Sequence, residues 1–524
     1  MPDSSLGFSP NPQHDPPLVL PDDEYNRLLT GNVHPRAWQN PDPVRKYNLV
    51  VIGAGTAGLI TAVVAAAVGA RVALIEKHLM GGDCLNVGCV PSKAIIRASR
   101  AWAGVRQSEE FGVHLSDGVR YDFAAVMARM RQLRARISQN DSAHRFKSLG
   151  VDVFLGEGRF TGSDTVEVSG KTLRFVKAAI CTGARAAAPA IAGLSEAGFL
   201  TNETIFSLTE LPRRMAVIGA GPIGCEMAQA FARFGSQVCL FEQMGHILPR
   251  EDQDAAEIVQ ARMKRDGVAL VLDSKVLRVE GRGREKVIHY AMNGSPKELT
   301  VDEILVGIGR APNVEGVGLD KVGVAYDAVN GVQVNARLQT TNPKIYAAGD
   351  ICFPFKFTHT ADVLAQIVIQ NALFPHPFGL GYASTDSLII PWCTYTDPEV
   401  AHVGMYEQDA RSKGIPTDTH TVKLDEVDRA IVDGEEDGFA RVHVKKGTDQ
   451  ILGATIVAAH AGEMISEITV LMNAGKGLGT ITGTIHPYPT QAEVIKRVAN
   501  AWRKTTFTEG KKRFLQRLFA WMRR

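Results

Sequence analysis

One pattern occurs twice in this chain and limits its fold more than any other feature: a buried strand, a glycine-rich turn and a helix. The first copy spans residues 47–76, with turn glycines Gly53, Gly55 and Gly58 and a second strand that ends in Glu76. In such a turn the first glycine makes the bend, the second lets the backbone approach a pyrophosphate, and the third packs the helix on the strand. The helix N-terminus favours phosphate charge. The terminal acid is placed to accept hydrogen bonds from a ribose diol.

The second copy spans residues 215–242. Its turn glycines are Gly219, Gly221 and Gly224, and its second strand ends in Glu242. The interval from the first glycine to the acid is the same in both copies. The chain is therefore predicted to have two dinucleotide sites.

Two cysteines, Cys84 and Cys89, lie between these sites, at the start of an apolar helical run that reads Gly-Gly-x-Cys-x4-Cys-x-Pro-Ser-Lys. At this spacing they can close a small disulfide ring, and the helix dipole lowers the pKa of a thiol at a helix N-terminus. By itself the spacing equally allows a metal site or a structural role. Between two dinucleotide sites it indicates electrons that pass from one nucleotide, through the other, to a disulfide.

With these motifs the chain resembles the flavin-dependent pyridine nucleotide–disulfide oxidoreductases, which include dihydrolipoamide dehydrogenase, glutathione reductase and mercuric reductase. The resemblance covers roughly residues 47–502. Four further motifs carry it: TGAR at 182–185, GIGRAPN at 307–313, IYAAGD at 345–350 and TDPE at 396–399. It implies FAD at the first site, NAD(P)H at the second, and a homodimer whose active site is shared across subunits.

The resemblance also implies an α/β fold with two Rossmann-like dinucleotide-binding domains, for FAD and then NAD(P), and a C-terminal α+β dimerisation domain. A chain of 524 residues has room for them. The predicted parts are a Pro-rich N-terminal arm at 1–46, FAD-binding segments at 47–200 and 326–385, an NAD(P)-binding domain at 201–325, a dimerisation domain at 386–502 and a basic amphipathic tail at 503–524. We expect the arm to be partly disordered or wrapped over the surface. Residues 122–147 read as one long basic helix.

Composition excludes several classes of protein. A net charge of +2 argues against a nucleic-acid partner. Seven cysteines in so long a chain do not form a secretory disulfide framework, and no second pair has metal-ligand spacing, so no metal site is expected. Residues 1–22 lack the basic start and apolar run of a signal peptide. Residues 49–70 are uncharged, but their glycines turn the chain from strand to helix. We expect a cytoplasmic location, and the basic tail allows peripheral membrane contact.

The resemblance implies individual roles for the residues around the flavin. Cys89 is the thiol against the flavin, and Cys84 is the outer, interchange thiol. Lys93 lies one helical turn beyond Cys89 and can point back toward the flavin, where it pairs with Glu226 near N5. Asp350 matches the acid that binds the ribityl chain. The remaining implied cofactor contacts are Thr182, Gly183 and Arg310.

Glu242 bears on the choice of nicotinamide. A carboxylate at that strand end accepts a hydrogen bond from a 2′-hydroxyl and repels a 2′-phosphate. The next three residues include no arginine. The pattern favours NADH over NADPH, although loops from elsewhere can overturn it.

The chain departs from the family's disulfide reductases near residue 488. Those members place a histidine of the partner subunit before a Pro-Thr pair, with a glutamate a few residues on, here Glu493; the histidine takes the proton of the interchange thiol. Tyr488 stands in its place. With a pKa of about 10, roughly one tyrosine in a thousand is ionised at pH 7, so it is no ready general base. It can donate a hydrogen bond or help to hold a soft metal, and mercuric reductases resemble this chain here. His486 shares a face with Tyr488 if the loop is extended, and either replaces the base or caps local backbone.

The expected function is transfer of electrons from NAD(P)H through FAD to a redox-active Cys84–Cys89 disulfide, and on to a metal ion, quinone or similar oxidant. The match to mercuric reductase is incomplete, because no cysteine follows Cys393 and a soft cation needs thiolate ligands. One alternative is a disulfide reductase of the dihydrolipoamide dehydrogenase or glutathione reductase type, with His486 as base. Another is a redox sensor or membrane-recruited scaffold without turnover.

The last stretch, residues 511–524, is a basic amphipathic helix. Its apolar face holds Phe514, Leu515, Leu518, Phe519 and Met522. Such a helix either docks on the dimer or lies on an anionic membrane.

Overall fold

The computed structural model describes residues 18–115, 119–187 and 189–523. The chain separates into two compact units. The first consists of Met1–Gly219, Arg233–Val238 and Val276–Leu388, and the second of Ala220–Ala232, Cys239–Lys275 and Ile389–Arg524. This division does not follow the domain limits expected from the sequence, which remain predictions.

A seven-stranded sheet forms the centre of the first unit. Its strands, in spatial order, are Val151–Leu155, Val72–Glu76, Tyr47–Ile52, Lys171–Ile180, Thr165–Val168 and Arg159–Gly162, with Ile345–Ala347 also paired to Lys171–Ile180. The first four strands and Ile345–Ala347 run parallel, and the last two are antiparallel. Both faces of the parallel part are covered, which explains why Tyr47–Ile52 is an almost unbroken apolar run.

Two helices cover one face of this sheet. Thr56–Ala67 follows the first glycine turn, and Thr358–Leu373 packs on it through a shared core that includes Leu59, Ala62 and Leu364. Small residues on the first helix allow this close packing. The other α-helices of the first unit are Glu24–Val33, Gly82–Asn86, Cys89–Arg106, Phe123–Ile137, Ala143–Ser148 and Leu194–Ala197.

The N-terminal arm wraps over the first unit from residue 18 onward. It contains the helix Glu24–Val33, whose Leu29 is fully buried, and Trp38, whose Nε1 donates to the carbonyl of Val153 at 3.2 Å. Residues 1–17 of the predicted arm lie outside the described residues. For the remainder, apolar contacts outweigh the high proline content and order the chain.

The expectation of one long helix over 122–147 was wrong. The structure has Phe123–Ile137, a 3-10 turn at Ser138–Asp141 and a new helix at Ala143–Ser148. Ser142 caps that new helix by accepting a hydrogen bond from the Arg145 N–H at 3.3 Å. A run of short polar side chains offers the backbone such local bonds in place of helix continuation.

The first unit contains further short sheets. A parallel pair is formed by Arg214–Ile218 and Glu303–Val306. The antiparallel elements are the meander Ser274–Arg282, Glu285–Met292 and Ser295–Val301, and the pairs Ala184–Ala186 with Arg310–Pro312 and Tyr326–Asp327 with Gly331–Val332.

The second unit is built on an antiparallel five-stranded sheet. Its order is Pro391–Thr394, Glu399–Gly404, Ile451–Ala458, Phe439–Lys445 and Thr417–Lys423. The accompanying helices are Pro222–Arg233, Gln253–Arg265, Glu407–Ser412, Asp428–Asp433, Ala461–Asn473, Leu478–Gly483, Glu493–Thr505 and Glu509–Met522, and Gln237–Phe241 and Val268–Val271 are strands of the second glycine-turn region. The predicted mixed α/β class, followed by an α+β region, is confirmed. Among the described helices, none has the length and apolar character that crossing a bilayer requires.

Candidate active site

The first glycine turn is closed on one side and open on the other. Gly53 has φ +101°, and a Cβ there would lie 2.3 Å from the carbonyl oxygen of Cys181. A Cβ on Gly58 would lie 1.8 Å from the oxygen of Gly53. At Gly55 the nearest atom to a Cβ would be the Cα of Gly82, at 3.7 Å. This open side adjoins the N-terminus of the following helix, where a pyrophosphate fits the backbone N–H groups.

Glu76 ties this turn to the end of its strand. Its Oε2 accepts from the Ala54 N–H at 2.7 Å, and its Oε1 accepts from the His78 N–H at 2.7 Å. Burial raises the pKa of Glu76, against the hydrogen bonds, which lower it. Each carboxylate oxygen retains acceptor capacity beyond its one described bond, as the predicted ribose contact requires.

Arg310 joins two acidic residues that are distant in sequence. Its guanidinium forms an ion pair with Asp83, lies 3.3 Å from the Asp350 carboxylate and donates to the carbonyl of Ala184 at 2.7 Å. Burial raises the pKa of Asp350, and the charge of Arg310 opposes that rise. Arg310 therefore links the residue before Cys84 to the residue expected at the ribityl chain.

The TGAR and GIGRAPN motifs meet in space. Thr182 donates its hydroxyl to the carbonyl of Asn313 at 2.9 Å, and the Asn313 side chain donates to the carbonyl of Thr182 at 2.9 Å. The Asn313 N–H donates to the Gly183 carbonyl at 3.0 Å. Strand pairing places Arg310 opposite Ala186. Three of the predicted cofactor contacts thus lie in one part of the first unit.

Cys84 and Cys89 lie on adjoining helices. Cys84 is in Gly82–Asn86, and Cys89 is the first residue of Cys89–Arg106, so the predicted helix N-terminus is present. Cys84 is partly buried and Cys89 is exposed, and the two are thiols in this structure, not joined in a disulfide. A hydrogen bond shared with Cys89, together with burial, raises the pKa of Cys84. This is opposite to the lowering expected from a helix dipole, because Cys84 lies inside its short helix and against a second sulfur.

Thr358 is a neighbour of the dithiol that the sequence analysis missed. It is the first residue of its helix, and its Oγ1 lies 3.4 Å from the Cys89 Sγ. A hydrogen bond from Thr358 also lowers the pKa of Cys84, in part offsetting the effect of Cys89. The sequence signal was a Thr-x-Thr at the start of an apolar helical pattern.

Polar contacts hold the dithiol segment from behind. The Asn86 side chain donates to the carbonyls of Met80 and Gly82 at 3.0 and 2.9 Å. Arg134 donates to the Asn86 carbonyl at 2.7 Å. Lys93 lies one turn beyond Cys89 and is half-buried. These bonds fix the backbone that carries both sulfurs.

The second glycine turn repeats the contacts of the first. A Cβ on Gly219 would lie 2.8 Å from the Ile308 side chain, whereas a Cβ on Gly221 would meet no atom within 4 Å. The Glu242 Oε2 accepts from the Ala220 N–H at 2.9 Å, as Glu76 does from Ala54 in the first copy. Gly224 lies in the helix that follows this turn.

Glu226 is buried in the second unit and accepts from the Tyr395 N–H at 2.9 Å. One turn further along the same helix, Gln229 exchanges two hydrogen bonds with the Asp397 backbone, each 2.8 Å long. This helix therefore binds the TDPE segment within the second unit. The pairing of Glu226 with Lys93 remains a prediction.

The loop before residue 493 does not present His486 and Tyr488 on one face, as an extended loop would. Tyr488 is 69% exposed, and its hydroxyl donates to Asp428 at 3.0 Å. The His486 side chain is 7% exposed, with its Nε2 2.9 Å from a Glu467 carboxylate oxygen. Glu493 accepts from Arg497 at 3.1 Å. The hydrogen bond to Asp428 raises the pKa of Tyr488, which leaves an even smaller fraction ionised at neutral pH to act as a base.

The first unit fits FAD. The open side of Gly55, the buried Glu76 and the Asp350 carboxylate are the groups predicted to contact the pyrophosphate, ribose and ribityl groups. Across the described ranges, no group of three or more His, Cys, Asp or Glu side chains is arranged to hold a metal ion.

Comparisons with known proteins agree with this geometry. A family model described as pyridine nucleotide-disulphide oxidoreductase matches residues 47–367, and one for the dimerisation domain of these enzymes matches residues 390–499. The chain is 34% identical to a mercuric reductase of Staphylococcus aureus, over 86% of this chain and 82% of that protein. It is 34% identical to a dihydrolipoyl dehydrogenase of Chlamydia muridarum, over 86% of this chain and 95% of that protein.

Solved structures give the same result. The HOCl-induced flavoprotein disulfide reductase RclA from Escherichia coli matches with a TM-score of 0.77 and 28% identity, covering 87% of this chain and 99% of that one. LpdA from Mycobacterium tuberculosis matches with a TM-score of 0.78 and 25% identity, covering 88% of this chain and 100% of that one. The chain belongs to the pyridine nucleotide-disulphide oxidoreductase family, as a flavoprotein with a dimerisation domain.

Proposed function

We propose that this flavoprotein oxidises NAD(P)H and reduces a soft metal ion, a quinone or a similar small oxidant through the Cys84–Cys89 pair. The observation that carries the proposal is the arrangement at the exposed loop. The side chain exposed there is Tyr488, bound to Asp428, while the His486 side chain is turned inward onto Glu467. Reduction of a disulfide substrate needs a base for the interchange thiol, whereas an oxidant that accepts electrons from the thiolates does not.

Bound FAD supplies a two-electron acceptor between a nicotinamide and the dithiol. The chain's own residues then have distinct roles in the proposal. Asp350 and Glu76 orient the cofactor's sugar groups, and Arg310 fixes Asp350 relative to the dithiol segment. Cys89, at its helix N-terminus beside Thr358, is the thiol nearer the flavin, and Cys84 is the interchange thiol.

Two relatives support a metal ion as the acceptor. A mercuric reductase is among the proteins at 34% identity. RclA, at 28% identity, has a solved structure described as a Cu(II) complex. Since thiolates are soft ligands that bind Cu(I) and similar ions, Cu(II) and Hg(II) are the first ions to test.

The rival is a disulfide reductase, and one observation favours it. His486 and Glu467 form a histidine–carboxylate pair, the arrangement that orients an imidazole for proton transfer. A disulfide reductase would need an exposed His486, so the loop would have to rearrange when two subunits form the shared active site.

An acceptor screen separates the two. Reduced enzyme is assayed with Cu(II), Hg(II), a quinone, lipoamide and glutathione disulfide, alongside Tyr488→His, Tyr488→Phe and His486→Gln. We expect turnover with the ions or quinone, little change in His486→Gln, and a gain of about tenfold or more with disulfides in Tyr488→His, because a general base contributes roughly 100- to 10,000-fold. Asp428→Asn is the matched control, since it keeps Tyr488 and changes the partner of its hydroxyl, together with an ion pair to Arg497 at 3.4 Å.

The disulfide reductase function predicts a different best acceptor. If lipoamide or glutathione disulfide is the best acceptor of the unmodified enzyme and His486→Gln abolishes that activity, the proposed acceptor is wrong. A single stoichiometric reduction without turnover for every acceptor would indicate the sensor instead.

We also propose NADH as the preferred donor. Glu242 places a carboxylate where a 2′-phosphate would lie. We expect Glu242→Gln to raise the ratio of NADPH to NADH activity by about tenfold, through loss of that repulsion. An unchanged ratio, or a wild-type preference for NADPH, would contradict this assignment.

A further inference from the structure

The helix Glu509–Met522 has an apolar face that the fold does not cover. None of its residues is buried. Phe514, Trp521 and Met522 are 66%, 71% and 66% exposed, and Phe519 is 51% exposed. At 100° per residue the apolar side chains occupy an arc of about 160° along a helix about 21 Å long. Isolated exposed apolar residues are ordinary, but an aligned set of this size marks an interaction surface.

Basic residues border this apolar face. Lys512 lies along one edge and Arg517 along the other, by helical position. Arg513 lies on the opposite side, and in the described part of the chain neither Arg513 nor Arg517 forms an ion pair. Long basic side chains at such edges can extend their charge to lipid headgroups while their stems stay with the apolar groups.

The charge of the chain is concentrated here. Residues 503–524 contain eight Lys and Arg against one Glu, a net charge of +7, while the whole chain has +2, so the rest of the chain carries −5. A protein whose remainder has a net negative charge is attracted to an anionic surface through this basic C-terminal stretch.

A cavity of about 430 Å³ lies where this helix joins the preceding one. It is lined by Arg503, Lys504, Thr506, Phe507 and Lys511. Lys511 donates to the carbonyl of Thr506 at 2.8 Å, which holds the junction together. Three cations beside one aromatic ring are suited to an anionic headgroup with its first acyl carbons.

From the exposed apolar arc, the bordering cations and this cavity, we propose that Glu509–Met522 binds anionic phospholipid bilayers, lying in the interface with Phe514, Phe519 and Trp521 among the acyl chains. The helix does not span the bilayer. The aromatic residues favour a lipid surface over a nucleic acid, because polyphosphate binding needs the cations but no apolar arc.

The test uses the FAD-loaded full chain and unilamellar vesicles of 30% phosphatidylglycerol in phosphatidylcholine, compared with pure phosphatidylcholine. Binding is measured by co-sedimentation at two salt concentrations. Trp521 provides a second readout, because its emission shifts to the blue when the indole enters the interface. Trp521→Phe supplies the background of the other tryptophans.

Two double variants separate charge from apolar contact. Lys512→Glu/Arg517→Glu, at the two edges of the apolar face, is expected to weaken binding by roughly 30-fold or more, since each basic residue lost near an anionic surface weakens binding about fivefold. Phe514→Ser/Phe519→Ser is expected to abolish the blue shift. Lys445→Glu/Lys446→Glu changes two exposed lysines elsewhere in the second unit and is expected to bind as the unmodified protein does. NADH oxidation should be unchanged in all of these variants. Membrane binding is therefore tested independently of which electron acceptor the enzyme uses.

Several outcomes would overturn the proposal. One is equal binding to both vesicle types, and another is binding that the charge reversal leaves unchanged. A third is binding to an oligonucleotide that persists in Phe514→Ser/Phe519→Ser, which would identify a polyanion site. A fourth is protection of Trp521 from iodide quenching in the free dimer, which would mean that a second copy of this chain covers the face.

Discussion

Replacing Arg310 by methionine is predicted to loosen the dithiol segment. The guanidinium lies 3.3 Å from the Asp350 carboxylate and also pairs with Asp83, the residue before Cys84. At an effective dielectric constant of 20, one pair at this distance is worth about 5 kcal/mol before desolvation. The Arg310 and Asp350 side chains are 20% and 21% exposed, so the pair is not fully buried. We therefore expect a loss of roughly 2–4 kcal/mol, somewhat below the cost of breaking a fully buried pair.

The effect should be local, because Asp83 and Asp350 belong to two defined segments. Hydrogen exchange measured by mass spectrometry on the purified protein reports opening of peptides that contain Gly82–Asn86 and residues 345–353. Exchange there should accelerate about 30- to 1,000-fold, since 1.4 kcal/mol corresponds to a factor of ten. Arg27→Met is the matched control, because its ion pair with Asp22 is exposed and contributes little to stability. If both variants exchange alike in these peptides, Arg310 does not fix the dithiol segment.

Two further predictions concern stability, and a third concerns the retention of flavin. Burial raises the pKa of Asp141 to about 6. Between pH 4 and pH 6 the folded protein therefore keeps a proton that the unfolded chain has lost. Because of this, the free energy of unfolding should fall as the pH rises through this range, by up to about 3 kcal/mol. Asp141→Asn should flatten this fall in denaturant titrations, and an unchanged pH profile would contradict it. Gly58→Ala, with its Cβ 1.8 Å from the Gly53 oxygen, should yield protein without flavin. Gly104→Ala adds a Cβ in open space on a helix and should instead stabilise the chain by about 0.5–1 kcal/mol. If Gly58→Ala retains FAD, the close packing of the glycine turn is not required for flavin binding.

The glycine turns and their strands were predictable because their signals are local. Tyr47–Ile52 and Ile451–Ala458 have the ends that their apolar patterns predict, since both are runs buried on two faces and bounded by turn residues. The helix after the first glycine turn, which the sequence pattern predicts at 59–70, begins at Thr56, three residues earlier, because the glycine turn itself enters the helix.

Contacts between distant segments were not predictable. The spacing of Asp83 and Arg310 carries no signal that they pair, and Thr358 reaches Cys89 only because the sheet brings the two helix N-termini together. His486 turns inward because Glu467 lies on a neighbouring helix, a partner that loop periodicity does not reveal. The identity of site residues thus follows from motifs, whereas their charges and orientations follow from packing.

The central claim is that electrons pass from a nicotinamide, through FAD, to Cys84 and Cys89. The most direct measurement is an anaerobic titration of the oxidised holoenzyme with NADH, followed by alkylation and peptide mass spectrometry. Two new thiols should appear per chain, both in the peptide that contains Cys84 and Cys89, and neither should form in Cys84→Ser. Flavin reduction without any new thiol at these positions would contradict it.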